Sequence, residues 1–224
     1  SRVGRYSQDT AHMLKSLVIV IAAQGRFPEA ESLSRAVLDI LHKIGVGENT
    51  IVINRARRNL ARTLVNQGLW QQALAEYDTI EHSMSGDKEA FSKYFGADLF
   101  KAQTLLRVGR ASEALPIAAA ALERRIKKVG QKHFKTAIAS AILAMSQAGT
   151  GMQKEALDNF QQAIPVLLSR SRQSSDENTS QGAREQQKGM ILESYIGLLA
   201  DIRGTAIETE AGINAADEAF RIAD

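Results

Sequence analysis

The sequence predicts an all-α fold of stacked antiparallel helix pairs, and three observations carry that prediction. Segments rich in Ala, Leu, Glu, Gln, Lys and Arg favour helix, and only three prolines interrupt the 224 residues. Aromatic residues make up 5% of the chain, too few for a sandwich or barrel built on aromatic cross-strand pairs. A pattern of Gly, three residues, Glu/Gln and Ala recurs as GRFPEA (25–30), GLWQQA (68–73), GRASEA (109–114) and GMQKEA (151–156), its glycines 43, 41 and 42 residues apart. A fixed period of this size is the mark of a repeat array. The only tryptophan, Trp70, takes the slot that Phe27 and Ala111 hold in two other copies, so it belongs to a structural unit and not to a site.

Each copy reads as helix, glycine turn, helix. About fifteen residues of helical pattern precede the glycine; in NRARRNLARTLVNQ (54–67), Ala56, Leu60, Ala61 and Leu64 share one face. The glycine ends that helix because it tolerates positive φ. A second helical pattern follows, as in residues 70–84. Small Ala30, Ala73, Ala114 and Ala156 stand where the paired helices approach, and Ser34, Tyr77, Ala118 and Phe160 follow four residues later. Such a pair cannot bury its apolar face alone, so consecutive pairs must stack.

In the first pair, LVIVIAA (17–23) is the longest apolar run, far short of the roughly 20 residues that span a bilayer, so no membrane span is expected. Pro28 and Pro116 are expected in first turns, where a missing N–H costs nothing. Pro165 lies deeper in the second helix of the fourth pair and should kink or end it. Residues 10–168 thus read as four helix pairs. Residues 169–188 are polar and read as a loop or insertion. Residues 189–224 read as a partial fifth pair with GTAIETEAG as its turn. The closing helix still carries Phe220 and Ile222, and the chain opens on Ser1, so the natural protein is expected to continue.

These repeats, with small residues seven before each glycine (Val18, Ala61, Ala102, Ala144) and Val37, Ile80, Ala121 and Ala163 further on, resemble tetratricopeptide repeats of the 42-residue kinesin-light-chain type. Residues 121–149 are similar to that type's inter-repeat stretch, with His133-Phe134 where His-Pro is usual. The resemblance implies a right-handed superhelical solenoid, a non-enzymatic scaffold, and a concave groove lined by first helices that clamps a protein or peptide. A second resemblance, in NFQQAIPVLLSRSRQ (159–173) and DEAFRIAD (217–224), is to the tetratricopeptide region preceding a bacterial CHAT (caspase-like) protease domain. It implies a bacterial regulatory region contacting its own C-terminal domain, with catalysis beyond Asp224.

Charge is unevenly placed. Residues 55–62 hold Arg55, Arg57, Arg58 and Arg62 with no acid, and residues 123–135 hold six Lys/Arg against Glu123. Arg55, Arg58, Arg62 and Asn66 fall at i, i+3, i+7 and i+11, hence on one helix face, with Asn59 beside them. Gln103 and Arg107 take corresponding positions on the next first helix. Guanidinium forks suit carboxylates, so these seven residues are the expected peptide-binding set, for an acidic peptide or partner domain. The alternative is a solvated face with internal partners.

The run 123–135 has one aromatic, Phe134, and reads as a solvated helix end and not a nucleic-acid platform. GTGMQK (149–154) lacks the Gly-Lys-Ser/Thr ending of a phosphate loop, and the four histidines lack zinc-motif spacing. No cysteine is present and no nucleophile–base context is recognisable, so neither a catalytic residue nor a metal or other cofactor is expected. Self-association through an apolar edge is the rival to peptide binding.

Overall fold

A computed structural model describes residues 6–170 and 181–223, and among them it contains twelve helices and no strand. In chain order these are α1 (Gln8–Ala23), α2 (Phe27–Lys43), α3 (Ile51–Asn66), α4 (Trp70–Ser83), α5 (Lys88–Tyr94), α6 (Leu99–Arg107), α7 (Ala111–Val129), α8 (Phe134–Ala148), α9 (Gln153–Arg170), α10 (Gln181–Ile202), α11 (Ala206–Ala211) and α12 (Ala215–Ala223). The described residues form two compact units, 6–96 with 181–184 and 97–170 with 185–223. In the first, α1 packs on α2, α2 on α3 and α3 on α4; in the second, α6 packs on α7, α7 on α8 and α8 on α9.

Every pair turns in the same way. The glycine N–H bonds back three residues, and the next N–H bonds back five: Gly25 to Ala22 and Arg26 to Ile21, Gly68 to Val65 and Leu69 to Leu64, Gly109 to Leu106 and Arg110 to Leu105, Gly151 to Ala148 and Met152 to Gln147. This is the Schellman arrangement, and all four glycines take φ between 74° and 82°, where a side chain would be strained. First helices begin differently from second ones. The side chains of Ser7, Thr50, Asp98 and His133 accept from backbone N–H groups of α1, α3, α6 and α8. By contrast α2, α4 and α7 have no side-chain cap and start directly from the glycine turn.

The sixteen positions that carry the repeat are the core: Val18, Ala30, Ser34 and Val37 and their counterparts in the other three pairs are all buried, none more than 4% exposed. Small residues let the backbones close up; at Gly149, an added Cβ would stand 2.7 Å from the Ala111 Cβ. Phe160 stacks on Tyr195 at 5.0 Å between ring centres, tying the fourth pair to α10. The Tyr195 hydroxyl donates to Glu218 of α12, and burial pushes its pKa up.

Several expectations need correction. Pro116 is the sixth residue of α7, inside the helix and beyond its first turn, and α9 runs through Pro165 to Arg170 without ending there. Both prolines are exposed, as are Ser112 and Gln161, so water can reach the carbonyls that lose a partner. Residues 181–188, assigned to the polar loop, are the first turns of α10: QGAREQQK is polar but rich in helix formers. Of the remaining loop, residues 171–180 lie outside the described residues. The turn GTAIETEAG contains α11, bracketed by Glu208, whose carboxylate accepts from the N–H groups of Gly204 and Ala215. Those two bonds hold the Glu208 pKa below the usual carboxylate value. The helix α5 has no counterpart in the expected repeat.

Candidate functional site

Four arginines and no acid are borne by α3, and the helix sends them two ways. Arg57 points into its own pair. It donates from Nη2 to Glu48 at 2.7 Å and from Nη1 to Glu76 at 3.3 Å. Burial opposes its charge, but the two carboxylates outweigh that and raise its pKa. The hydrogen bond from Arg57 is the main cause of the lowered Glu48 pKa, with His42 Nε2 a further 2.6 Å partner of the same carboxylate.

Arg55 and Arg58 lie on the other face, and α5 meets them there. The Arg55 guanidinium sits 4.9 Å from the centre of the Tyr94 ring, and that of Arg58 sits 5.4 Å from Phe95. Arg58 Nη1 also donates to the Tyr94 carbonyl at 2.8 Å. The helix α5 starts on Asp87, which accepts from the Ala90 N–H, and places Phe91, Tyr94 and Phe95 together: the Phe95 ring centre lies 6.2 Å from that of Phe91 and 6.5 Å from that of Tyr94. Arg58 is thereby fixed by the protein itself, whereas Arg55 is exposed and lies over the Tyr94 ring.

Arg62, Asn59 and Asn66 continue the same α3 face, all three half-buried; the Asn59 carbonyl accepts from the Thr63 hydroxyl. Gln103 and Arg107 belong to the second unit. There Gln103 is buried, its Oε1 accepting from Gln187 Nε2 at 3.4 Å, while Arg107 is exposed in the last turn of α6. The structure therefore gathers the arginines with an aromatic element that repeat periodicity did not supply. Its signal was present in DKEAFSKYF (87–95): an Asp at an N-cap, then apolar residues four apart.

The arginine face is particular to the second pair. Counting back from the turn glycines, Arg58 and Arg62 correspond to Lys15 and Ile19 in the first pair and to Ala141 and Met145 in the fourth, the last two buried. Among the described residues no helix is long and apolar enough to cross a membrane.

Helix pairs closed by a repeated glycine turn over a small-residue core define an α-helical repeat protein. A tetratricopeptide-repeat family model matches residues 95–169. Two solved structures of kinesin light chain nearly identical TPR-like repeats from Podosopora anserina share the fold. One, a point variant, is 16% identical over 76% of this chain and 81% of its own, with a TM-score of 0.54. The other is 16% identical over 77% and 82%, with a TM-score of 0.52. No curated protein matches. Repeats of this type serve as protein-interaction scaffolds. None of these matches bears on the CHAT-associated resemblance, whose first stretch falls on α9 and, at residues 171–173, outside the described residues.

Proposed function

We propose that the chain is a non-enzymatic interaction module that binds an acidic peptide, or an acidic segment of a partner domain, along the α3 face assigned by the family resemblance to the concave groove. The observation that supports this most is Arg55, exposed and over the Tyr94 ring, on a helix with four arginines and no carboxylate. A guanidinium whose orientation is already set loses less entropy when it grips a carboxylate with two bonds. Arg62 extends the face one turn further, with Asn59 and Asn66 as neutral donors. Arg58 holds α5 in place and so shapes the site more than it contacts the ligand.

The test is capture of a partner by wild type beside Arg55→Glu/Arg62→Glu, followed by titration of the captured segment. Loss of binding with unchanged helicity and melting supports the reading. Equal affinity of the two proteins would sink it.

One observation favours self-association as a second reading. Met13, Leu17 and Val20 of α1 are 58%, 42% and 52% exposed. The residues at the same register in α3 (Ala56, Leu60, Thr63) and α8 (Ala139, Leu143, Ser146) are buried, in helices that pack on α2 and α7 respectively. A second copy covering α1 would bury this stripe. Light scattering that shows a dimer persisting on dilution, and a monomer for Met13→Glu/Val20→Glu, would establish it; a monomer for wild type removes it.

A further inference from the structure

The position six residues before the turn glycine is open in the first unit and closed in the second. Ile19 is 47% exposed there and Arg62 half-buried, whereas Gln103 is 5% and Met145 8% exposed. Met145 belongs to the apolar cluster that Met190, Ile191 and Tyr195 of α10 join, so its cover is core. Gln103 is covered differently. Its side chain meets α10 through a hydrogen bond from Gln187, a long one at 3.4 Å.

That bond comes from the start of a helix longer than its siblings. The helices α1, α3 and α8 begin 17 residues before their turn glycines, but α10 begins 23 before Gly204, the positive-φ glycine that follows it. The register would start α10 at Gln187, with a capping side chain at position 186, as Ser7, Thr50 and His133 cap the others. Instead the helix reaches back to Gln181. Across 182–188 only Ala183 is buried, whereas Met190, Ile191, Tyr195, Leu198, Leu199 and Ile202 make the rest of α10 a core helix. Gly189 stands at the join. Its φ is not positive and an added Cβ would meet nothing within 4 Å, so neither conformation nor space requires a glycine. A glycine inside a helix is less stable than an alanine, which gives α10 a weak point where its polar turns meet its buried body.

We infer that the first two turns of α10, residues 181–188, are a strap that opens at Gly189 and, when closed, fills the place on α6 where a peptide ligand would lie. Its role as a cover for a ligand rests on the reading of first-helix faces as binding surfaces; its opening does not. Opening uncovers the Gln103 amide one turn from the exposed Arg107, a pair of donors suited to the backbone and carboxylates of an acidic peptide. The strap thereby inhibits its own chain, because apparent affinity falls by the fraction of molecules that are closed.

The chain has no cysteine, so Gln103→Cys supplies a single thiol, whose reaction with N-ethylmaleimide is followed by mass spectrometry. Ala102→Cys, at a fully buried position of the same helix, reports global unfolding. The thiol at position 103 should react about tenfold faster or more than that at 102. Adding Gly189→Ala should slow it about fivefold, and adding Gln186→Gly, at an exposed position, should speed it about fivefold. Equal rates at 102 and 103, or a rate at 103 indifferent to both changes, overturns the strap. If a cysteine variant does not fold, hydrogen exchange of the unaltered chain decides: residues 184–188 should exchange faster than 192–199 and be slowed about fivefold by Gly189→Ala, and unchanged exchange overturns the strap. The ligand's place is tested by anisotropy of a fluorescein-labelled peptide of alternating glutamate and serine. The protein is the full chain carrying Arg55→Glu/Arg62→Glu, so that α3 does not contribute. Binding should tighten with Gln186→Gly and weaken with Gly189→Ala, each about fivefold. Affinity indifferent to both, or no binding, overturns the strap as a cover for this ligand. Because α3 is disabled throughout, failure here leaves the peptide site on α3 standing, and failure there leaves the strap standing.

Discussion

In the second helix pair Arg57 bonds two carboxylates, Glu48 and Glu76, and Asn54 accepts from Ser83 at 2.8 Å; in the fourth pair the same positions hold Ser140, Gln131, Asn159, Ala137 and Val166. Around them the core is alike, with Ala73 and Ala156, Tyr77 and Phe160, Ile80 and Ala163 all buried. A few positions per repeat, the glycine turn and the small residues facing across the pair, suffice to stack the helices. The rest are free to diverge, and they did so in opposite directions: toward charge in the second pair and toward neutral groups in the fourth. Function in such an array is to be sought where one pair departs from its siblings.

Four sets of variants and conditions distinguish the two pairs, in order of decreasing effect. Phe160→Ala should destabilise by about 3–5 kcal/mol in urea denaturation, because a fully buried ring stacked on Tyr195 leaves a cavity. Tyr77→Ala in the second pair should do comparable damage; a large gap between the two would show that the pairs are not equivalent in the core. Next, Ala73→Leu and Ala156→Leu should each cost about 1–3 kcal/mol by overpacking, in the same assay. If either is silent, the small residue there does not set helix approach.

The charge cluster gives the third. Arg57→Ser alone strands the largely covered Glu76, while Glu48 keeps His42, and should cost about 1–3 kcal/mol. The triple change Arg57→Ser/Glu48→Gln/Glu76→Asn writes the fourth pair's residues into the second and should lose less than the single change, since no charge is left unpaired. A triple variant less stable than Arg57→Ser would mean that the cluster, and not the register, holds the second pair.

The smallest effect is the pH dependence. The folded-state pKa of Glu48 is lowered from 4.5, chiefly by the hydrogen bond from Arg57. A depressed carboxylate contributes stability that is fully present above its unfolded value and is lost as pH falls through the folded one. Melting temperature should therefore fall as pH drops below about 4.5, and Glu48→Gln should flatten that decline slightly, slightly because Glu48 is half exposed and screened. An identical slope in the variant would remove Glu48 from the account.

The scaffold was readable from the chain because its positions are periodic: glycine, Ala five residues later, small residues seven before. The helix pairs fell out of that spacing. The features that were not readable lack periodicity. The helix α5 interrupts the register and supplies Tyr94, whose ring lies under Arg55 and whose carbonyl accepts from Arg58, and Phe95, whose ring lies under Arg58. Gln103 looked like the continuation of that face, yet it is buried against Gln187, a partner 84 residues away that no local pattern announces. The start of α10 was hidden because its first turns are polar, and polarity alone does not separate loop from solvated helix.

The central claim is that ligand recognition lies on α3 and α5, where the second pair departs from the repeat. Hydrogen–deuterium exchange of the full chain, with and without its captured acidic segment, tests that claim most directly. New protection is expected over residues 51–66 and 88–95, absent when the same segment is added to Arg55→Glu/Arg62→Glu. Protection confined to other helices, or unchanged in that variant, would contradict it.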